Sequence, residues 1–162
     1  MLPDERSAAS TPPRAGAAAL DVRFAVSLPA TDSAARDARR TVEHHLSDLL
    51  DTRALEDLLV VVSELVTNAV LHGHGDIGLR IAFDGSHVVG TVSEDGHGFM
   101  YDPGRRGAAG DGGRGLELVS QLTTRWGLHQ ASSDVWFEFC AGREHGIAIA
   151  GSIAGCGPSE AE

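Results

Sequence analysis

Three polar residues recur at intervals of four in an otherwise apolar stretch of the sequence. Glu64, Asn68 and His72 stand in the run Ser-Glu-Leu-Val-Thr-Asn-Ala-Val-Leu-His, which starts at Ser63. In a helix this spacing places the three side chains along one stripe beside the apolar face. A carboxylate or an amide buried there needs polar partners. The same spacing also fits a solvated helix flank that ends in a histidine favoured by the helix dipole, so both interpretations stay open.

A second segment combines one carboxylate with two glycines at the end of a predicted strand. Asp95 is followed by Gly96 and Gly98. The glycines allow the backbone to approach a flat ligand closely, and the carboxylate can accept a hydrogen bond from an exocyclic amino group. A tight turn would use the same residues. The segment does not match the dinucleotide fingerprint, because Tyr101 stands in place of the third glycine and Pro103 interrupts the following helix.

A third segment, residues 110–115, is rich in glycine and leads directly into a predicted helix. Glycines before a helix N-terminus expose backbone N–H groups beside the positive end of the dipole, which suits a phosphate. Arg105, Arg106 and Arg114 lie in or beside this loop. A flexible surface linker with solvated arginines is the alternative.

Composition excludes several classes of protein. The chain has 162 residues and a net charge of −10, which disfavours direct binding of nucleic acid. It contains no lysine, so a Walker A loop, a Schiff-base lysine and a Ser-x-x-Lys nucleophile pair are excluded. Its two cysteines are too few for a disulfide framework or a structural zinc site. We expect a cytoplasmic protein without a membrane span, because the apolar stretch at 146–157 is too short to cross a bilayer.

Hydrophobic periodicity predicts the elements that position these segments. The first helix is expected to start at a Thr31 or Asp32 cap and to bury Ala35, Ala38, Val42, Leu46 and Leu49. Asp84-Gly85 predicts a hairpin, and the long segment 94–113 is expected to be functional. The predicted strands are 22–28, 78–83, 87–93, 125–129 and 135–140, and the two further helices are 53–72 and 116–123.

This order of elements has no repeating βαβ unit. It predicts an α+β fold, a two-layer sandwich with a mixed, mostly antiparallel sheet and helices on one face. Residues 1–20 and 142–162 are rich in small residues and poor in large apolar ones. We therefore expect a disordered arm, one domain over residues 21–141 and a flexible tail.

The three segments, in this order, resemble the GHKL ATPase superfamily. The N box corresponds to Glu64 and Asn68, and the two glycine boxes correspond to Asp95, Gly96 and Gly98 and to Gly113 and Gly115. The run Val-Ser-Glu-Leu-Val-Thr-Asn-Ala from Val62, with Arg-Trp-Gly from Arg125 and Val-Trp-Phe-Glu from Val135, is similar to the RsbW-like anti-sigma-factor serine kinases. The resemblance spans about residues 22–140.

The resemblance implies a Bergerat-type fold that binds ATP and Mg²⁺ between the long helices, the sheet and the glycine-rich loop. Asn68 would ligate the magnesium, Glu64 would act as general base toward a serine or threonine hydroxyl, and Asp95 would bind the adenine amino group. Phe99 and Met100 are expected to pack in the loop hinge. The other residues expected near the nucleotide are Gly96, Gly98, His72, Arg105, Arg106, Gly113, Arg114, Gly115, Leu116 and Asp134.

Residues 132–134 depart from the pattern of these kinases. Ser-Ser-Asp stands where they usually carry Gly-Lys-Thr, so Asp134 replaces a threonine that helps to hold the adenine. A second acidic group near Asp95 would lower nucleotide affinity unless it points away. Arg105, Arg106 and Arg114 are the candidates for the arginine that contacts phosphate.

The function implied is an anti-sigma factor and kinase that phosphorylates an anti-anti-sigma partner and sequesters a sigma factor, with a homodimer as the family expectation. One alternative is a catalytically silent module that binds ATP or a sigma factor. Another is a zinc hydrolase, because His72, His74 and Asp76 have the His-x-His-x-Asp spacing. The catalytic half of a histidine kinase is a third, although we see no preceding helical segment with a phosphoacceptor histidine.

Overall fold

The computed structural model describes residues 22–94, 114–129, 132 and 134–142. The predicted arm, most of the predicted tail and the segment 95–113 lie outside this part of the chain. The elements are β1 (Val22–Leu28), α1 (Ala34–Leu46), α2 (Thr52–His72), β2 (Ile77–Phe83), β3 (His87–Glu94), α3 (Arg114–Leu122), β4 (Arg125–Leu128) and β5 (Val135–Cys140).

The strands form one sheet in the order β1-β2-β3-β5-β4. Each neighbouring pair is antiparallel, so the α+β fold is confirmed and the sheet has no parallel pair among the described strands. The helices form the second layer: α2 packs against α1, α3, β2 and β3, while α1 also contacts β1 and α3 also contacts β4. The long helix α2 therefore lies at the centre of the layer, over the middle of the sheet.

The core lies between the two layers and follows the alternation of the strands. On β3, Val88, Gly90 and Val92 are buried, and they pair with Phe139, Phe137 and Val135 of β5. A Cβ atom on Gly90 would lie 2.2 Å from two ring carbons of Phe137. The missing side chain at Gly90 therefore makes room for the phenylalanine ring of the neighbouring strand.

The start of α1 differs from the prediction. Ser33 is the N-cap instead of Thr31 or Asp32, and its hydroxyl donates a hydrogen bond to the Asp37 carboxylate. The helix buries Ala34, Ala38, Val42 and Leu46, while Ala35 is only partly buried. Leu49 was wrongly expected in the core: the helix ends at Leu46, so Leu49 lies in the following turn and is 38% exposed, while Leu50 is buried.

The ends of α2 are fixed by hydrogen bonds and lie within one residue of the prediction. The Asp51 carboxylate accepts a hydrogen bond from Ala54 N (2.8 Å), as a helix N-cap does. Gly73 ends the helix, and its N–H donates to the Ala69 carbonyl oxygen (2.8 Å). No helix in the described part of the chain combines the length and apolarity that a membrane span requires.

The helix α3 begins at Arg114, two residues earlier than expected. Val119 anchors it in the core with no exposed surface. The indole N–H of Trp126 on β4 donates a hydrogen bond to the Ser120 hydroxyl (2.8 Å). These contacts fix α3 against the sheet, so the position of its N-terminus relative to α2 is defined by packing.

Candidate functional site

A pocket lies between α2, α3 and the ends of β3 and β5. It encloses about 330 Å³ of empty space, part of which is open solvent. Most of the lining is apolar, which suits a flat ring. The lining residues are Leu65, Asn68, Ala69, Val92, Ser93, Glu94, Leu116 and Val135.

Asn68 presents an amide to this pocket from the C-terminal part of α2. Its Nδ2 atom is buried and has no hydrogen-bond partner in the structure. A buried donor without a partner costs stability, about 1–3 kcal/mol in typical proteins. A ligand that offers a hydrogen-bond acceptor would remove that cost, while the ligation of magnesium by the amide oxygen of Asn68 stays a prediction.

Glu64 lies one turn before Asn68 on α2, and its side chain reaches the first turn of α3. A Cβ atom on Gly115 would lie 2.4 Å from Glu64 Oε2, so the carboxylate rests against the backbone of that glycine. The N-terminus of α3 carries unpaired N–H groups and the positive end of the dipole, which attract an anionic group. The structure thus brings Glu64 to Gly115, while the nucleotide-binding roles of Glu64, Asn68 and Gly115 stay a prediction.

Arg114 and Leu116 flank Gly115 and lie on different sides of the helix. Leu116 is 6% exposed and lines the pocket, while Arg114 is exposed at the first helical position. The side chain of Arg114 is therefore accessible to solvent at the start of α3. Of the other residues predicted to contact the nucleotide, six lie outside the described part of the chain: Asp95, Gly96, Gly98, Arg105, Arg106 and Gly113.

Two predicted residues do not line the pocket. His72 is exposed at the last position of α2. Asp134 is half-buried and directly precedes Val135, which does line the pocket, and its carbonyl oxygen accepts a hydrogen bond from His129 N (2.8 Å). Asp134 therefore lies next to the pocket, at the start of β5.

The zinc hypothesis is not supported by the arrangement of its three residues. No group of three or more His, Cys, Asp or Glu side chains within the described ranges could hold a metal ion. His72, His74 and Asp76 are each exposed. The chain leaves α2 at Gly73 and turns at Gly75, whose φ is 78°, so the three side chains are not gathered around a common point.

Glu94 is a pocket residue that the sequence analysis missed. It is the last residue of β3 and follows the buried positions Val88, Gly90 and Val92 at the strand period of two. That alternation was the available signal, because it places residue 94 on the side of the sheet that faces the helices. The Glu94 Oε2 atom is buried and has no hydrogen-bond partner in the structure.

Comparison with known proteins gives the family. A profile of the histidine kinase-like ATPase domain matches residues 28–137, more than half of the chain. Among solved structures, the fold is similar to the crystal structure of the RsbU and RsbW domains of Rv1364c from Mycobacterium tuberculosis, with a TM-score of 0.55 and 21% identity. The match covers 74% of this chain and 32% of that one, so this chain spans about a third of its length. No curated protein gives a match.

The antiparallel sheet, the helical layer and the pocket between them define a two-layer α+β domain. The family match makes this specific: the chain belongs to the histidine kinase-like ATPase domain family. The resemblance to GHKL ATPases, based on Glu64, Asn68 and the glycine boxes, is thereby confirmed, and the similarity to an RsbW domain extends to the fold.

Proposed function

We propose that the protein is an ATP-dependent protein-serine/threonine kinase that phosphorylates an anti-anti-sigma partner and sequesters a sigma factor in the cytoplasm. The observation that carries the proposal is the position of Glu64 and Asn68, one turn apart on α2. Asn68 lines the pocket, and Glu64 lies where the pocket meets the start of α3. The family match and the RsbW-like fold support the same conclusion.

The residues of the pocket fit ATP and magnesium. Leu65, Val92, Leu116 and Val135 offer apolar walls for a purine, and the buried Nδ2 atom of Asn68 has no hydrogen-bond partner in the structure. We assign the magnesium to the Asn68 amide oxygen, since hard cations prefer oxygen ligands. The backbone N–H groups at the start of α3 suit the phosphates. When bound, the nucleotide supplies the phosphoryl group that is transferred.

Glu64 is assigned as the general base. A carboxylate within hydrogen-bond reach of a serine or threonine hydroxyl can accept its proton during phosphoryl transfer. The contact with Gly115 holds the carboxylate in one place against the first turn of α3. We assign the adenine amino group to Asp95, the phosphate contacts to the glycine-rich loop, and the folded domain to residues 21–141. A homodimer is part of the proposal.

A second candidate function is a regulatory module that binds its partner without catalysis. Asp134 favours this alternative, because its carboxylate replaces the expected threonine beside Val135 of the pocket. A negative charge there would oppose the binding of a polyanionic nucleotide. The two functions differ in whether phosphate is transferred to the partner.

Two measurements on matched variants test the proposal. Asn68→Ala should abolish magnesium-dependent binding of ATP in calorimetric titration. Glu64→Gln should bind Mg-ATP but transfer labelled phosphate to an anti-anti-sigma protein about 10²–10⁴ times more slowly, the usual contribution of a general base. Thr67→Ala is the control, since Thr67 is exposed on the same helix turn.

Three results would contradict the assignment. Unchanged titration of Asn68→Ala would refute the nucleotide site. Transfer by Glu64→Gln at the wild-type rate would refute the base. Normal Mg-ATP binding with no transfer by the wild-type protein would favour the silent module.

A further inference from the structure

The face of the sheet opposite the helices carries two buried side chains of β5. The alternation along this strand places Val135, Phe137 and Phe139 in the core between the two layers. Trp136 and Cys140 therefore point to the other face of the sheet. They are only 0% and 1% exposed, although they do not belong to that core.

The elements of the structure do not account for this burial. Trp136 pairs with Thr91 of β3 on one side and with Gly127 of β4 on the other. Gly127 has no side chain and Thr91 has a small one, so neither can enclose an indole, which buries roughly 150–250 Å². The three described helices pack against the sheet from the side of the core. A further layer is therefore needed over Trp136.

The chemistry of this face suits an apolar peptide segment. Ala82 and Val89 are paired beside Trp136 and add small apolar surface. The Nε1 atom of Trp136 is buried and has no hydrogen-bond partner in the structure. A buried donor requires an acceptor, and an extended segment offers a row of backbone carbonyl oxygens.

Cys140 indicates which segment lies over this face. It is disulfide-bonded, and the sequence contains one other cysteine, Cys156. Cys156 stands in the stretch 146–157, which consists of glycine, alanine and isoleucine with one serine and this cysteine. The segment 143–156 can span about 50 Å when extended. A sheet of five strands is about 20 Å across. The segment is therefore long enough to cross the face and return to Cys140.

We infer that residues 143–162 dock on the face of the sheet around Trp136, and that a disulfide between Cys140 and Cys156 locks them there. Neither the segment nor the bond belongs to the proposed ATP site. Formation of the bond oxidises two thiols, which lose two protons and two electrons to a small-molecule disulfide, and that disulfide is reduced to two thiols. Since a reducing cytoplasm opens such bonds, the lock responds to the redox state. A docked segment closes this face to other partners.

Peptide mapping of the full chain tests the lock. Trypsin cleaves after arginine, and cleavage after Arg125 and Arg143 separates the two cysteines. After incubation with oxidised glutathione, a digest without reductant should contain residues 126–143 joined to residues 144–162, and the undigested protein should run as a monomer on a denaturing gel. Two separate peptides would overturn the lock. A covalent dimer would overturn it as well, because a second copy would then supply the thiol.

Acrylamide quenching of tryptophan fluorescence tests the docking. Trp126→Phe removes the other tryptophan, so the signal reports on Trp136 alone. The oxidised chain should resist quenching. Ile149→Asp places a charge in the apolar stretch, so after reduction this variant should be quenched severalfold more strongly. Ala17→Asp is the matched control near the other end of the chain and should have no effect. Exchange of the indole N–H protons, followed by NMR in the chain that keeps both tryptophans, gives the same comparison without Trp126→Phe.

Three results would overturn the docking of residues 143–162. The first is equal quenching of Trp136 in the oxidised chain and in reduced Ile149→Asp. The second is stronger quenching in Ala17→Asp, which would assign the face to residues 1–21. The third is protection that increases with protein concentration, which would assign the face to a second copy. None of these measurements involves a nucleotide, so their failure leaves the proposed kinase activity unaffected.

Discussion

The Glu64 carboxylate lies against the backbone of Gly115, closely enough that a single added carbon atom would collide with it. The first residue belongs to the middle of α2 and the second to the start of α3, two helices that are far apart in sequence and packed together in the fold. A helix N-terminus presents backbone N–H groups that can bind an anion such as a phosphate. The proposed base is therefore positioned by the same turn that is proposed to bind phosphate.

Gly115→Ala should impair the reaction through Glu64. The added Cβ atom would lie 2.4 Å from Oε2 and 3.3 Å from Cδ of Glu64, so the carboxylate must move away from the helix start. A displacement of about 1 Å at a reacting group can reduce a rate about 10²-fold. We expect a reduction of this order in the rate of phosphate transfer, measured at saturating Mg-ATP.

Two comparisons make this result specific. Gly142→Ala is the matched control, because a Cβ atom at Gly142 meets no atom within 4 Å. In a Glu64→Gln background, Gly115→Ala should cost much less than in wild type, since the base is already lost. Full additivity of the two changes would mean that Gly115 acts on the phosphates and not through Glu64.

Most of the fold could be predicted from the sequence, because local patterns determine it. The period-two alternation in β1 and the Asp84-Gly85 turn are both present as predicted. The wrong predictions concern residues for which the local helical spacing and the packing of the folded domain favour different positions. Leu49 has the right spacing for the core, yet α1 ends before it, and Leu50 takes the buried position.

The candidate site residues that belong to a sequence motif could be predicted. Those whose position depends on tertiary packing could not. Glu64 and Asn68 could be assigned from their spacing and their resemblance to a family. The alternation along β3 places Glu94 toward the helices, but its burial could not be predicted, because an acid at the end of a strand is normally solvated. Only the glycine at position 73, far away in sequence, creates the space in which the acid is buried.

Asp134→Thr should tighten nucleotide binding. Asp134 precedes Val135 of the pocket, and its negative charge is expected to repel the phosphates. We expect the dissociation constant for Mg-ATP to fall about fivefold at low salt, with a smaller difference at high ionic strength because salt screens the charge. Asp48→Thr, at an exposed position, removes the same charge far from the pocket and serves as control. Equal affinity of wild type and Asp134→Thr at all salt concentrations would show that the carboxylate does not affect the site.

Gly90→Ala should destabilise the core of the domain. The new methyl group would lie 2.2 Å from the Phe137 ring and 3.0 Å from Ile81 Cδ1, and neither side chain has free space in which to move. Overpacking of this kind costs about 1–3 kcal/mol in the free energy of unfolding, measured by denaturant titration. Gly78→Ala is the comparison, since its Cβ atom would meet only the rotatable Ser93 hydroxyl within 3.4 Å. A smaller loss for Gly90→Ala than for Gly78→Ala would contradict the packing at the centre of the sheet.

The hairpin between β2 and β3 should contribute a pH-dependent part of the stability. Partial burial raises the pKa of Asp84, but the hydrogen bonds that its carboxylate accepts from the backbone N–H groups of His87 (2.7 Å) and Ser86 (2.9 Å) outweigh this, and the pKa lies below its ordinary value. A lowered pKa in the folded state means that the contribution is complete above the unfolded value of about 4 and is lost as the pH falls through the folded value.

Asp84→Asn tests this contribution. Asparagine keeps an oxygen that can accept both backbone hydrogen bonds, so the turn should persist, but it does not titrate. Between pH 7 and pH 5 the melting temperatures of wild type and variant should differ by a constant amount. Below about pH 4 the wild type should lose stability more steeply, because protonation weakens the two hydrogen bonds. Asp48→Asn, an exposed acid in the turn after α1, is the control and should follow the wild-type curve. Parallel curves for wild type and Asp84→Asn down to pH 3 would mean that the Asp84 carboxylate is not bound to the turn in solution.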